Sequence, residues 1–143
     1  MWQLPNYVQY RLDLFKQSKA QKELDKKRPA ESRQSHESGE QQYYDIQDEE
    51  LYEWKRLIQT RYYRNKADSL LVPMPGFDEE GIYEIVEWDK DKKQPRYLTD
   101  KGLRVVRSAI REEQKHRREA VGYWFGIAVG LIGAMTGLVA VFK

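Results

Sequence analysis

The spacing of apolar positions changes several times along this chain, and each change marks a different kind of element. In NYVQYRLDLFKQSKAQKELDKK (Asn6–Lys27), Val8, Leu12 and Phe15 fall at helical spacing behind Pro5. The second half of this helix is almost wholly polar, so Val8, Leu12 and Phe15 are the face expected to pack. RPAESRQSHESGEQQ (Arg28–Gln42) has no large apolar side chain and reads as a flexible linker. Helical spacing returns in DIQDEELYEWKRLIQTRYYRNKA with Leu51, Trp54, Ile58 and Tyr62, and Asp48, Glu49 and Glu50 are expected at its positive N-terminal end. The two helices are expected to pair across the linker as an antiparallel hairpin.

A strand-like portion follows. SLLVP (Ser69–Pro73) is a short apolar run stopped by PMPG. GIYEIVEW alternates Ile82, Glu84, Val86 and Trp88 against Tyr83, Ile85 and Glu87, DKDKKQ is a charged turn, and PRYL is a second strand, together a β-hairpin. At LTDKG the period becomes helical again, with Thr99 as N-cap and Leu103, Val106, Ile110 and Gln114 along one face. No proline or further cap intervenes before Phe142, so one helix of about 43 residues is predicted. The fold class is therefore mainly α with a small β-hairpin. Its parts are an N-terminal helix (1–27), a linker (28–42), a helix-plus-hairpin domain with juxtamembrane helix (43–119) and a transmembrane helix (120–142).

Composition alone would suggest a soluble chain. Charged residues make up 34% of the 143 and the mean hydropathy is −0.88. Yet no charge occurs from Ala120 to Phe142. At about 1.5 Å per residue this run spans roughly 34 Å, close to the ~30 Å hydrocarbon core of a bilayer. Lys101, Arg104, Arg107, Arg111, Lys115, Arg117 and Arg118 precede it and Lys143 alone follows. Basic residues beside a span favour the cytoplasmic side, so the N-terminal domain is expected in the cytoplasm. Arg111, Lys115, Arg117 and Arg118 are the cations expected to meet lipid head groups, and Tyr123, Trp124 and Phe125 form an interfacial aromatic collar. Arg11 and Asp13 interrupt the short apolar stretch at the N-terminus, which is therefore not read as a signal peptide. Absence of cysteine removes thiol chemistry and agrees with a cytoplasmic domain.

The apolar run contains Gly122, Gly126, Gly130, Gly133 and Gly137. At about 100° per residue all five share an arc of about 80°. A face without side chains lets a second backbone approach closely, as in small-xxx-small helix pairs, so homo-oligomerisation or pairing with another membrane protein is predicted there. Thr136 is the one hydroxyl deep in the span and nothing ionisable accompanies it, which argues against a pore.

Candidate chemistry is sparse. His36 and His116 have no partner at ligand spacing, and no HExxH, CxxC or Walker-type loop occurs. Asp48–Glu50 and Asp78–Glu80 read as solvated helix and turn acids. No catalytic, cofactor-binding or metal residue is assigned, no cofactor or small-molecule substrate is expected, and an enzyme is not predicted. RYYRNK (Arg61–Lys66) mixes cations with aromatics as nucleic-acid surfaces do. However, residues 1–100 carry 17 basic against 20 acidic side chains, the wrong balance for such a footprint.

YLTDKGLRVVRSAIREEQKHRRE followed by GLIGAMTGLVAVF resembles the C-terminal end of small, uncharacterised bacterial single-pass membrane proteins. These combine an LT-x-x-G helix start, an Arg/Glu-rich juxtamembrane helix and a glycine-bearing GA-x-TGL span. The likeness extends weakly upstream through KADSLLVPMP and covers about the last half of the chain. It implies the bacterial inner membrane and a helix-plus-hairpin domain. The leading expectation is a tail-anchored, non-enzymatic interaction or scaffold component. A membrane-perturbing effector acting through oligomerised spans is the alternative. A membrane-tethered nucleic-acid-binding regulator is the third, since RYLTDKG resembles the exit from the wing of winged-helix regulators.

Overall fold

The computed structural model describes residues 4–28, 39–86 and 95–141. Three helices and one two-stranded antiparallel hairpin follow in the order α1 (Asn6–Lys27), α2 (Glu40–Leu70), β1 (Tyr83–Ile85), β2 (Arg96–Leu98) and α3 (Asp100–Val141). The mainly α class with a small β-hairpin is thus the observed one.

Helices α1 and α2 pair antiparallel, but through the polar side of α1. Asn6, Tyr10, Asp13, Gln17 and Gln21, spaced by three or four residues, face α2. Tyr10 stacks on Tyr62 with ring centroids 4.1 Å apart, and Asp13 pairs with Arg61. Buried Gln17 donates from Nε2 to the Leu51 carbonyl at 3.1 Å. At the far end Arg28 reaches Asp45 at 3.3 Å. Val8, Leu12 and Phe15 are exposed, contrary to the expectation that they form the packing face. The partner surface decides the matter. It offers Asp48, Arg61, Tyr62 and the outward edges of the Leu51 and Tyr62 carbonyls, with which polar and aromatic side chains can pair and aliphatic ones cannot.

Helix α2 also starts earlier than its apolar pattern suggests. Gly39, at φ +74°, precedes Glu40, so Glu40–Gln42 belong to the helix and not to the linker. Asp48, Glu49 and Glu50 consequently lie two turns inside α2 and away from its N-terminal end. At the other end the helix absorbs Ser69 and Leu70. Leu71 takes a left-handed conformation (φ 60°), and the Val72 amide returns to the Ala67 carbonyl at 2.9 Å. SLLVP is therefore a helix end and its cap, not a strand. The reversal drops Val72 into the core and leaves Leu71 87% exposed.

The hairpin pairs Tyr83 with Leu98, Glu84 with Tyr97 and Ile85 with Arg96. Glu87, Trp88 and the DKDKKQ turn lie outside the described residues. Ile82 and Val86, which flank β1, are buried, whereas Glu84, between them in the same alternation, is exposed. The hairpin is fastened to α2 where the buried Leu98 amide donates to Thr60 Oγ1 at 2.8 Å. It is fastened to α3 where the Thr99 amide donates to the Ile82 carbonyl at 3.0 Å.

Thr99 caps α3 as predicted. Its hydroxyl accepts from the Gly102 amide at 3.1 Å and donates to the Gly81 carbonyl at 2.6 Å. Gly102 is needed here, since a Cβ would stand 2.4 Å from the Ile82 carbonyl oxygen. Leu103, Val106 and Ile110 form the predicted face and join Ala67, Val72, Ile82 and Leu98 in one core. Buried Arg56 adds a polar clasp, reaching Asp100 at 2.8 Å in the first turn of α3 and the Tyr52 hydroxyl at 2.9 Å.

Candidate membrane-contact and association surface

The apolar core contacts of α3 end at Ile110, within its first four turns. Every residue from Lys115 to Thr136 is exposed. Among the described residues α3 is the one helix long and apolar enough to cross a membrane, and nothing in the fold covers that window. No proline interrupts this stretch, and a helix pairs its interior backbone groups within the segment, as a bilayer would require. Even Thr136 is satisfied locally, donating to the Ile132 carbonyl at 2.7 Å, with that of Gly133 at 3.0 Å.

Just before the uncharged run, the four cations expected at the head groups divide. Arg117 turns inward. Its Nη2 donates to the Leu70 carbonyl at 2.8 Å, closing the C-terminal end of α2, while its Nε donates to Glu113 at 2.7 Å. Arg118 donates from Nε to the Gln114 carbonyl at 3.2 Å, Lys115 lies 3.7 Å from Glu119, and Arg111 is exposed one residue past the core. Arg111, Lys115 and Arg118 thus present charge outward, and Arg117 holds the domain against α3. No spacing rule relates Arg117 to Leu70, so the sequence gives no sign of this contact.

Tyr123, Trp124 and Phe125 are all exposed, and Tyr123 meets Trp124 edge-on at 6.1 Å. Three consecutive residues step by about 100° each, so they fan around more than half of the helix. Gly122, Gly126, Gly130 and Gly133 open onto empty space, with nothing within 4 Å of a Cβ built on any of them. Gly137 continues the series in the helical backbone of α3. At about 100° per residue, Leu103, Val106, Ile110 and Arg117 cluster some 170° from the centre of the glycine arc. The domain and the glycine face therefore occupy opposite sides of one helix.

The chain matches no protein-family model, no curated protein and no solved structure. Its surfaces must speak for themselves.

The other candidate features make contacts within the fold. In RYYRNK, Tyr62 stacks on Tyr10, Arg107 lies 4.8 Å from the centre of the Tyr63 ring, and Asn65 donates to Asn6 at 3.3 Å. Burial pushes the Tyr10 phenol above its ordinary value. Asp48 accepts from Gln21, and Glu79 accepts from the Gly76 amide at 2.8 Å. Among the described residues, no three His, Asp or Glu side chains gather as a metal site would require. His116 is exposed, and His36 lies outside the described residues.

Proposed function

We propose that this protein is a single-pass membrane-anchored interaction component, with its domain on the cytoplasmic side and with association through the glycine face of the span. One observation carries the reading: α3 continues unbroken from the domain core into a bare apolar stretch. An exposed apolar surface of that length has no place in water. The basic excess before the span supports the cytoplasmic orientation, and the resemblance to small bacterial single-pass proteins supports the bacterial inner membrane.

The opposed faces of α3 support association. Two parallel spans meeting through their glycines would carry their domains outward, without collision. Gly130→Leu or Gly133→Leu fills the arc, whereas Ala128→Leu adds the same bulk at about 240°, on the far side. Co-purification of differently tagged copies from membranes should be lost in the glycine variants and kept in the alanine variant. Equal behaviour of the three variants, towards both a second copy and other membrane proteins, would refute the glycine interface. Loss of membrane potential on expression, abolished by the same glycine substitutions, would favour the membrane-perturbing alternative.

A further inference from the structure

The outer side of α1 carries a helix-pairing seam that the fold does not use. Val8, Leu12, Phe15, Lys19, Lys22 and Lys26 succeed one another at intervals of four and three residues, within an arc of about 80°. All six are exposed. Gln17, buried against α2, lies on the opposite side of the helix. Alternating intervals of four and three keep one row of side chains towards a second helix along its whole length. The row has two halves of different chemistry, apolar up to Phe15 and cationic from Lys19. Arg11 and Lys16 flank the first half, and Glu23, 4.0 Å from Lys19, and Asp25 flank the second. Cations therefore exceed acids along the seam.

Orientation decides against a second copy as the occupant. Helix α2 runs beside α3 towards the span, since Arg56 meets Asp100 and the Leu70 carbonyl meets Arg117. Antiparallel α1 therefore runs away from the bilayer, with Asn6 beside Asn65 and Arg28 beside Asp45. Copies anchored in one membrane carry α1 in the same direction. A symmetric pair would then set each seam residue against its own counterpart. Lys19, Lys22 and Lys26 would each face an identical charge, and like charges held together oppose association. Carboxylates opposite the same lysines would favour it.

We propose that this seam binds a helix of a different protein, apolar where it meets Val8, Leu12 and Phe15 and acidic where it meets the three lysines. Burial of the apolar half supplies attraction, and the lysine–carboxylate pairs fix register and partner. The choice against a second copy rests on the reading of α3 as a span. The seam stands along the membrane normal, clear of the lipid, so a neighbour reaches it from the side. It gives the domain an association surface separate from the glycine face.

Two synthetic helical peptides of about 24 residues test it on the full chain in phosphatidylcholine discs. Both carry Leu at the three positions that face Val8, Leu12 and Phe15. One carries Glu and the other Lys at the three positions that face the lysines. Fluorescence anisotropy, corrected with protein-free discs, should show the Glu peptide binding at least about tenfold more tightly. Lys19→Glu combined with Lys22→Glu should reverse that preference, and the reversal also shows that the variant is folded. Phe15→Ala should weaken the Glu peptide about tenfold, whereas Gln9→Ala, off the seam, should leave it unchanged. Equal binding of the two peptides, or none, overturns the proposal and leaves the glycine interface, which these changes do not touch, to its own test. The chain has no cysteine of its own, so Phe15→Cys reports on self-pairing. A disulfide between copies in the membrane would overturn the proposal in favour of a second copy on this face. Release of the full chain from membranes by alkaline carbonate would remove the span and the proposal together.

Discussion

Arg117 Nη2 stands 2.8 Å from the Leu70 carbonyl, forty-seven residues away in sequence, and joins the last turn of α2 to the last turn of α3 before its uncharged run. A cation at a helix C-terminus satisfies an otherwise free carbonyl and complements the helix dipole. Because the guanidinium is half exposed, solvent screens much of this gain. Arg117→Ala is expected to destabilise the domain by about 1 kcal/mol. Arg118→Ala, whose partner lies within its own helix, should cost less. Thermal unfolding of the full chain in detergent, followed by circular dichroism, measures the difference.

Leu71 holds a left-handed conformation without being glycine and gains little from burial. Leu71→Gly should therefore stabilise the protein, by about 1 kcal/mol, against the usual direction of a glycine substitution. A fall in the unfolding midpoint would show that the leucine side chain has a partner worth more than the backbone cost.

At Gly102 the opposite applies. A Cβ there meets the Ile82 carbonyl at 2.4 Å and Leu98 Cδ2 at 2.9 Å. Gly102→Ala should force β1 away from α3 and cost about 2 kcal/mol. Amide exchange would locate the damage, with faster exchange expected at the Thr99 and Leu98 amides.

Tyr97 links alkaline stability to the hairpin. Burial, then its 2.7 Å hydrogen bond to the Glu84 carboxylate, push the phenol well above its ordinary value of 10.0. A pKa raised by folding means that the unfolded chain ionises first. The stabilisation is full below pH 10 and is lost as pH climbs from there towards the folded value. Tyr10 and Tyr83 are raised in the same direction. Tyr97→Phe should therefore unfold less steeply between pH 10 and 11 than the parent. Identical melting curves against pH for the two proteins would contradict this.

Topology is open to the same cysteine-free background. Tyr43 is exposed on α2, and Tyr43→Cys should react with a membrane-impermeant maleimide in inverted vesicles and not in intact cells. Labelling in intact cells would reverse the orientation.

Much of this fold is legible where a residue's local chemistry and its tertiary role agree. The bounds of α1, the Thr99 cap, the β1–β2 hairpin and the Leu103–Val106–Ile110 face of α3 are of this kind. Legibility fails where the partner surface decides. Val8, Leu12 and Phe15 have the periodicity of a packing face, but the surface opposite them is polar, and α1 turns its glutamines inward. Ser69 and Leu70 look like strand residues until the core claims Val72 through a left-handed turn at Leu71. For the candidate surfaces, the uncharged run and its glycines are visible in the sequence, whereas the inward role of Arg117 depends on a chain reversal that no local pattern encodes.

The continuity of α3 also sets a mechanical scale. From Ala120 back to Asp100 the helix projects about 30 Å, and the domain is clamped along one side of that arm. Once anchored, the arm is a lever whose fulcrum is the membrane surface. A span tilt of about 20° would sweep its far end sideways by about 10 Å. Displacements too small to notice within the bilayer would thus become movements wide enough to bring the hairpin end of the domain to a neighbour or carry it away.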